Sequence, residues 1–123
     1  MILVDSSVWI NHLRSEDECV VELLAAGEVL GHPFVLGEVA LGYLPQRALF
    51  LRALARLPQT VVASDREVLD LVERQPLYGR GIGYIDAHLL AAVWLTPDAK
   101  LWTAERRLRA VAAELGLAAM LPH

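Results

Sequence analysis

The sequence predicts an α/β fold in which a parallel sheet carries helices on both faces. Three observations lead there. Short apolar runs recur along the chain: Ile2-Leu3-Val4, Val29-Leu30, Thr60-Val61-Val62-Ala63, Leu101-Trp102 and the stretch 117–121. Longer stretches with apolar residues at helical spacing separate them, which is the pattern of crossover units feeding a parallel sheet. The first run has no polar residue, as suits a strand covered on both faces. With 123 residues the chain is one domain, 1–123, large enough for a real core.

Taken in order, the first strand stops at Asp5, at the carboxyl end of a sheet strand, where open α/β sheets place their ligands. Ser6 or Ser7 is expected to cap a helix through Val8, Trp9, Ile10 and Leu13. The acidic run Ser15-Glu16-Asp17-Glu18 starts a second helix, which carries Val20, Val21, Leu23 and Leu24 and stops at Gly27. Gly31-His32-Pro33 closes the second strand, and a helix through Val35, Leu36, Val39 and Leu41 follows. Glu38 lies inside it among apolar neighbours, at risk of burial without a partner. Leu44-Pro45 breaks the chain before an amphipathic helix, 47–57, with Leu49, Phe50, Ala53 and Leu54 on one side. After the third strand, Ser64 and Glu67 form a capping box, which makes Asp65 and Glu67 structural.

The glycine-rich loop Tyr78-Gly79-Arg80-Gly81-Ile82-Gly83 is neither a Walker loop, since no Gly-Lys-Ser/Thr follows, nor a dinucleotide fingerprint, since no strand precedes it. Tyr84 to about Leu95 is a strong helix with Asp86 in its first turn. Thr103 is expected to cap a last helix that starts near Glu105, presents Leu108, Val111, Ala112 and Leu115, and ends at Gly116.

Composition narrows the function classes. The chain is 55% hydrophobic and 21% charged, hence globular. No apolar run reaches the ~20 residues of a membrane span. A strand at the very start leaves no room for a signal peptide, and Cys19 is the sole cysteine. No internal disulfide or thiolate zinc cluster is therefore expected, and the cytoplasm is the expected location. The net charge of −4 argues against nonspecific coating of nucleic acid. All basic residues but Lys100 are arginine, however, so a local phosphate-gripping rim is compatible with it.

Four acids, Asp5, Glu38, Asp86 and Glu105, fall at strand ends or early in helices. Each has a bland reading, as a cap or a partner of the helix dipole. Gathered at one sheet edge they would repel strongly without a cation, and an all-oxygen donor set suits Mg²⁺ or Mn²⁺.

Leu3-Val4-Asp5-Ser6-Ser7-Val8-Trp9-Ile10 resembles the opening of PIN-domain proteins, specifically VapC-type toxins of type II toxin–antitoxin pairs. Gly37-Glu38-Val39, Gly83-Tyr84-Ile85-Asp86-Ala87-His88 and Leu101-Trp102-Thr103-Ala104-Glu105-Arg106-Arg107-Leu108 resemble the remaining family blocks, in order. The resemblance covers essentially the whole chain and implies a three-layer α/β/α sandwich. It also implies a Mg²⁺- or Mn²⁺-dependent endoribonuclease that leaves 5′-phosphate and 3′-hydroxyl ends. Asp5, Glu38, Asp86 and Glu105 would be the metal-binding catalytic acids. The family usually has Asp where this chain has Glu105, which displaces the oxygens by about one methylene. Thr103 and Ser6 are supporting candidates. A cognate VapB-type antitoxin is the implied partner, expected on the apolar surface of 34–44 and 47–57, together with a homodimer.

Arg106, Arg107 and Arg109 are candidate RNA contacts, with Arg14 and Arg80 further off; a solvated helix face is the alternative. His88 reads as structural, and His12, His32 and His123 show no ligand spacing. A dehalogenase-type phosphatase needs a second Asp where Ser7 stands, and a receiver domain needs a Lys at a strand end, whereas Lys100 precedes its strand. The alternative is an inactive PIN-like module that binds RNA or protein without cutting.

Overall fold

The computed structural model describes residues 1–121. Three strands form a parallel sheet in the order β2-β1-β3: β1 is Ile2–Val4, β2 Val29–Leu30 and β3 Lys100–Trp102. Leu3 is in register with Leu30 on one side and Leu101 on the other. The earliest strand is thus the central one, and Leu3 and Val4 are fully buried, as their unbroken apolar run requires.

Among the described residues there are seven helices: α1 Ser6–Arg14, α2 Glu18–Ala25, α3 Pro33–Ala40, α4 Arg47–Ala55, α5 Asp65–Arg74, α6 Tyr84–Leu95 and α7 Arg106–Glu114. Helix α6 is buried without interruption from Ala87 to Val93, because it is apolar all round and is enclosed by α5 and the sheet. The other helices bury one stripe each, such as Leu108, Val111 and Ala112 of α7. The result is the expected α/β sandwich with helices packed on a parallel sheet. Among the described residues no helix is long and apolar enough to cross a membrane.

Two expected strands shrink to single bridges. Gly31 pairs with Gln59, and Leu101 with Ala118, both parallel. In 60–63 the pairing ends after Thr60, whose N–H reaches Gly31 O at 3.1 Å. The Val61 N–H turns to the Thr96 hydroxyl instead, at 2.9 Å, and Val61 and Val62 are exposed. In 117–121 only Leu117 and Ala119 bond to Leu101. Both segments extend the sheet at its margins without forming strands.

The caps also differ from expectation in two places. Asp5 itself is the N-cap of α1, accepting from Ser6 N, so Ser6 and Ser7 lie inside the helix. Glu105 holds the N-cap position of α7 with no side-chain bond, while the Thr103 hydroxyl faces Asp5. The Ser64–Glu67 capping box of α5 forms as read, and Asp17 caps α2 through Cys19 N and Val20 N.

Candidate active site

Asp5 is the best-held carboxylate of the molecule. It is 3% exposed, and its place at the end of the central strand fixes its backbone, with Asp5 N donating to Trp102 O at 2.9 Å. Oδ1 accepts from Ser6 N at 2.8 Å. Oδ2 accepts from the Ser7 hydroxyl at 2.8 Å and the Thr103 hydroxyl at 2.7 Å. Each hydroxyl gives its one proton to Asp5 and takes a backbone N–H in return: Ser7 Oγ from Ala104 N at 3.0 Å, Thr103 Oγ1 from Glu105 N at 3.0 Å. One network therefore joins the end of β1 to the turn that leads into α7 and carries Glu105.

The other acids arrive from two helices and from the turn before α7. Glu38, on α3, is exposed, contrary to the burial its neighbours suggest, because the apolar residues beside it turn inward: Val35 and Val39 are buried. Its Oε1 accepts from Ser6 Oγ at 3.2 Å. Ser6 thus stands between Asp5 and Glu38, with a longer 3.4 Å contact to Asp5 Oδ1. Asp86, in the first turn of α6, is half-buried and accepts from Gly83 N at 3.1 Å. Glu105 is exposed and shares with Asp86 an open cleft of about 470 Å³, which Arg106 and Arg107 also line.

Electrostatics show the four acids to be neighbours. The Glu38 carboxyl is pushed above its ordinary value by desolvation and by repulsion from Asp5, Asp86 and Glu105, against the opposing pull of the Ser6 hydroxyl. Asp86 is likewise pushed up by burial and by Asp5, opposed by its bond from Gly83. The four residues picked from the sequence thus share one field at the carboxyl edge of the sheet. Among the described residues, no three His, Cys, Asp or Glu side chains form a ready-made ligand set for one ion. Asp5 is in place, and the rest surround it more loosely.

The remaining candidates divide. Arg107 lies over Gly81, where a methyl group would come within 2.6 Å of its guanidinium and where φ is +79°. Glycine there gives both the turn and the room. Arg106 joins it in the cleft, whereas Arg109 is exposed on α7 and is not among the cleft's lining residues. Arg80 pairs with Glu114 at 2.9 Å and is not among the cleft's lining residues.

His88 is buried and faces Asp65 at 3.1 Å; Asp65 also accepts from the Tyr84 hydroxyl at 2.7 Å. Asp65 is therefore structural in a further way, tying α5 to the start of α6. His12 Nδ1 accepts from Asp17 N, and His32 Nδ1 from Phe34 N; His123 lies outside the described residues. Ser7 is the site-network residue that the sequence did not single out. Its signal was a hydroxyl two positions after a carboxylate, read only as a helix cap.

Residues 2–114 match the family model of the PIN domain. The chain is similar to Ribonuclease VapC32 of Mycobacterium tuberculosis, from strain CDC 1551 / Oshkosh and from strain ATCC 25618 / H37Rv. In each case it is 52% identical over 118 residues, which cover 96% of this chain and 95% of the relative. A central parallel sheet ending in Asp5, with acids gathered from α3, α6 and the β3–α7 turn, is thus accompanied by whole-length sequence similarity: the chain belongs to the PIN-domain family, in its VapC-type branch.

Proposed function

We propose that this chain is a VapC-type endoribonuclease that hydrolyses RNA phosphodiester bonds with Mg²⁺ or Mn²⁺ and is neutralised by a VapB-type antitoxin. The observation that carries the reading is the placement of acids around the fixed Asp5 carboxylate, with Glu38 joined to it through Ser6 and with Asp86 and Glu105 lining one cleft with Arg106 and Arg107. The printed name of the VapC32 relatives supports the reaction class. The donor set fits a hard divalent cation: it is all oxygen, and Glu38 and Asp86 are pushed above their ordinary values by desolvation and by the neighbouring carboxylates. Asp5 and Asp86 would hold the principal ion, with Glu38 and Glu105 completing its shell directly or through water. A bound divalent ion supplies charge neutralisation at the phosphoryl oxygens and an acidified water.

This chain's own residues supply position. Ser7 and Thr103 fix the Asp5 carboxylate, so no rotamer has to be frozen when substrate arrives. Ser6 links Asp5 to Glu38 and keeps the second carboxylate turned toward the first. Arg106 and Arg107 present planar donors to phosphates in the cleft that Asp86 also lines. No side-chain nucleophile is required.

The α3–α4 hairpin offers the antitoxin a surface. Leu41 and Tyr43 are almost completely solvent-exposed, and Leu49 is exposed beside them on α4. Arg47 holds the hairpin shut by donating to the carbonyls of Ala40 and Gly42. Apolar exposure of this kind marks a partner surface, for the antitoxin or for a second copy in a homodimer.

The decisive experiment incubates purified protein with RNA, with and without Mn²⁺ or Mg²⁺. Metal-dependent cleavage, absent in Asp5→Asn, supports the proposal; RNA binding without cleavage at any metal concentration would point to the inactive module. Thermal melts give a second readout. An ion that binds only the folded form adds RT ln(1 + [L]/Kd), about 2.7 kcal/mol at a hundredfold excess over Kd. A wild type that melts identically with and without metal argues against the shared site.

A further inference from the structure

Next to the acid-lined cleft lies a second depression, of about 230 Å³, that no part of the mechanism uses. Leu69 and Val72 of α5, Tyr78 and Ile82 of the glycine-rich loop, and Tyr84 and Ala87 of α6 contribute to its walls. Two of these are large aromatic rings left in solvent: Tyr78 is 63% exposed and Tyr84 47%. Tyr84 is held firmly all the same. Its hydroxyl donates to Asp65 at 2.7 Å, and its ring meets His88 edge-to-face at 4.7 Å. A half-exposed ring held by its hydroxyl and by a neighbouring ring is a preformed platform.

The depression is continuous with the acids. Ile82 lines both hollows. Gly83 lines the second one and donates its N–H to Asp86. Gly81, between Tyr78 and Ile82, is covered by the Arg107 guanidinium. A ligand filling both spaces would be flat and apolar at one end and anionic at the other. A protein side chain offers one of these properties, and a nucleotide offers both.

We infer that Tyr78 and Tyr84 form a stacking subsite for one unpaired nucleobase, flanking the phosphodiester that faces the acids. The inference rests on the nuclease reading for its substrate class, and it requires the bound base to be unpaired, because a base inside a duplex cannot enter the hollow. Aromatic platforms of this kind hold bases through their π faces, largely independently of sequence.

The test reads binding, not cleavage. A short, labelled single-stranded RNA is compared by anisotropy, in metal-free buffer, with the same chain carrying abasic riboses. Wild type is expected to favour the base-bearing chain by about 10-fold, within the range of roughly 5- to 150-fold that loss of one stacked base produces. Tyr78→Ala should lose most of that preference and Tyr78→Phe should keep it. Tyr78 lies in an exposed loop, so circular dichroism should report an unchanged fold. Equal binding of the two chains by wild type, or an undiminished preference in Tyr78→Ala, overturns the subsite. So does a Tyr78→Ala variant that keeps its base preference but no longer binds a protein partner. A wild type that discriminates bases yet never cuts RNA strikes the nuclease reading and leaves the subsite standing.

Discussion

Asp5 leaves β1 with both carboxylate oxygens engaged, at 2.7 and 2.8 Å from the hydroxyls of Thr103 and Ser7 and 2.8 Å from Ser6 N, in a buried setting. Glu38, on α3, stands at the surface with a single 3.2 Å bond from Ser6. Glu105, beyond β3, is exposed as well. The contrast is between a fixed point and two adjustable arms. Magnesium demands ligands near 2.1 Å in nearly octahedral array, and carboxylates frozen that close together without the ion would repel one another. Fixing one acid and leaving others free to close places the repulsion where it can relax. The absence of a ready-made ligand set among the described residues follows from that division.

The largest effect should come from removing a fixed acid. Asp5→Asn is expected to lower RNA cleavage by about 10³-fold, the upper end of what one missing charge-stabilising group costs. Glu38→Gln should cost less, and added Mn²⁺ should recover part of its activity. A pair of rate-against-metal titrations would break the comparison if Glu38→Gln proved as inert as Asp5→Asn and equally unresponsive to metal.

Next in size is the support of the fixed point. Thr103→Val keeps the shape but leaves Asp5 Oδ2 and Glu105 N each short of a partner. A stability loss of about 1–3 kcal/mol in urea titration is expected from the hydrogen bond to charge lost at Asp5 Oδ2, which keeps only the one from Ser7. Thr103→Ser should restore most of it. Ser6→Ala, at the arm, should cost clearly less; equal losses would mean that both regions are held alike.

A third effect concerns pH. Folding raises the carboxyl affinities of Glu38 and Asp86 for protons above their ordinary values of 4.5 and 3.8. The stability this gives the protonated, metal-free protein is fully present below those ordinary values and is lost as pH rises through the raised ones. Asp65 runs oppositely, lowered by its bonds from Tyr84 and His88, and withdraws its support only below its ordinary 3.8. Metal-free melts above about pH 4 should therefore show a decline with rising pH that Asp86→Asn reduces. That variant should match or exceed wild type in metal-free stability, since Asn can still accept from Gly83, and it should lose cleavage. A destabilised Asp86→Asn would return Asp86 to the role of a simple helix cap.

The smallest effect belongs to the rim. Arg106→Ala with Arg107→Ala should lower the slope of log affinity against log salt by roughly one unit per lost phosphate contact. Arg109→Ala, away from the cleft, should leave the slope alone.

Much of this was legible from residue types. The central strand could be read because Ile2, Leu3 and Val4 tolerate no water on either face. The acids were picked out by the four family blocks they sit in, because each alone also reads as a helix cap or a dipole partner. The marginal strands were misread because Thr60, Val61 and Val62 favour extended backbone whether or not a neighbouring strand continues beside them. Here Gly31 is the last partner on that side. Exposure of Glu38 was missed because helical neighbours in sequence face different directions. The Ser7–Thr103 pair around Asp5 could not be read at all, since it joins the beginning of the fold to its last β–α turn and no local pattern encodes that distance. The seat of Arg107 on Gly81 was hidden for the same reason.

The pairing of Asp5 with Thr103 also sets a timetable. During synthesis β1 emerges first, but the central position it takes in the sheet stays open on one side until β3 follows, almost a full domain later. The two hydrogen bonds that tie residues 5 and 7 to residues 103 and 104 cannot form before then. A ribosome carrying a partial chain would therefore display the first carboxylate without its companions. Contacts so distant in sequence close slowly, so cleavage of RNA should begin only after the α7 turn has left the exit tunnel.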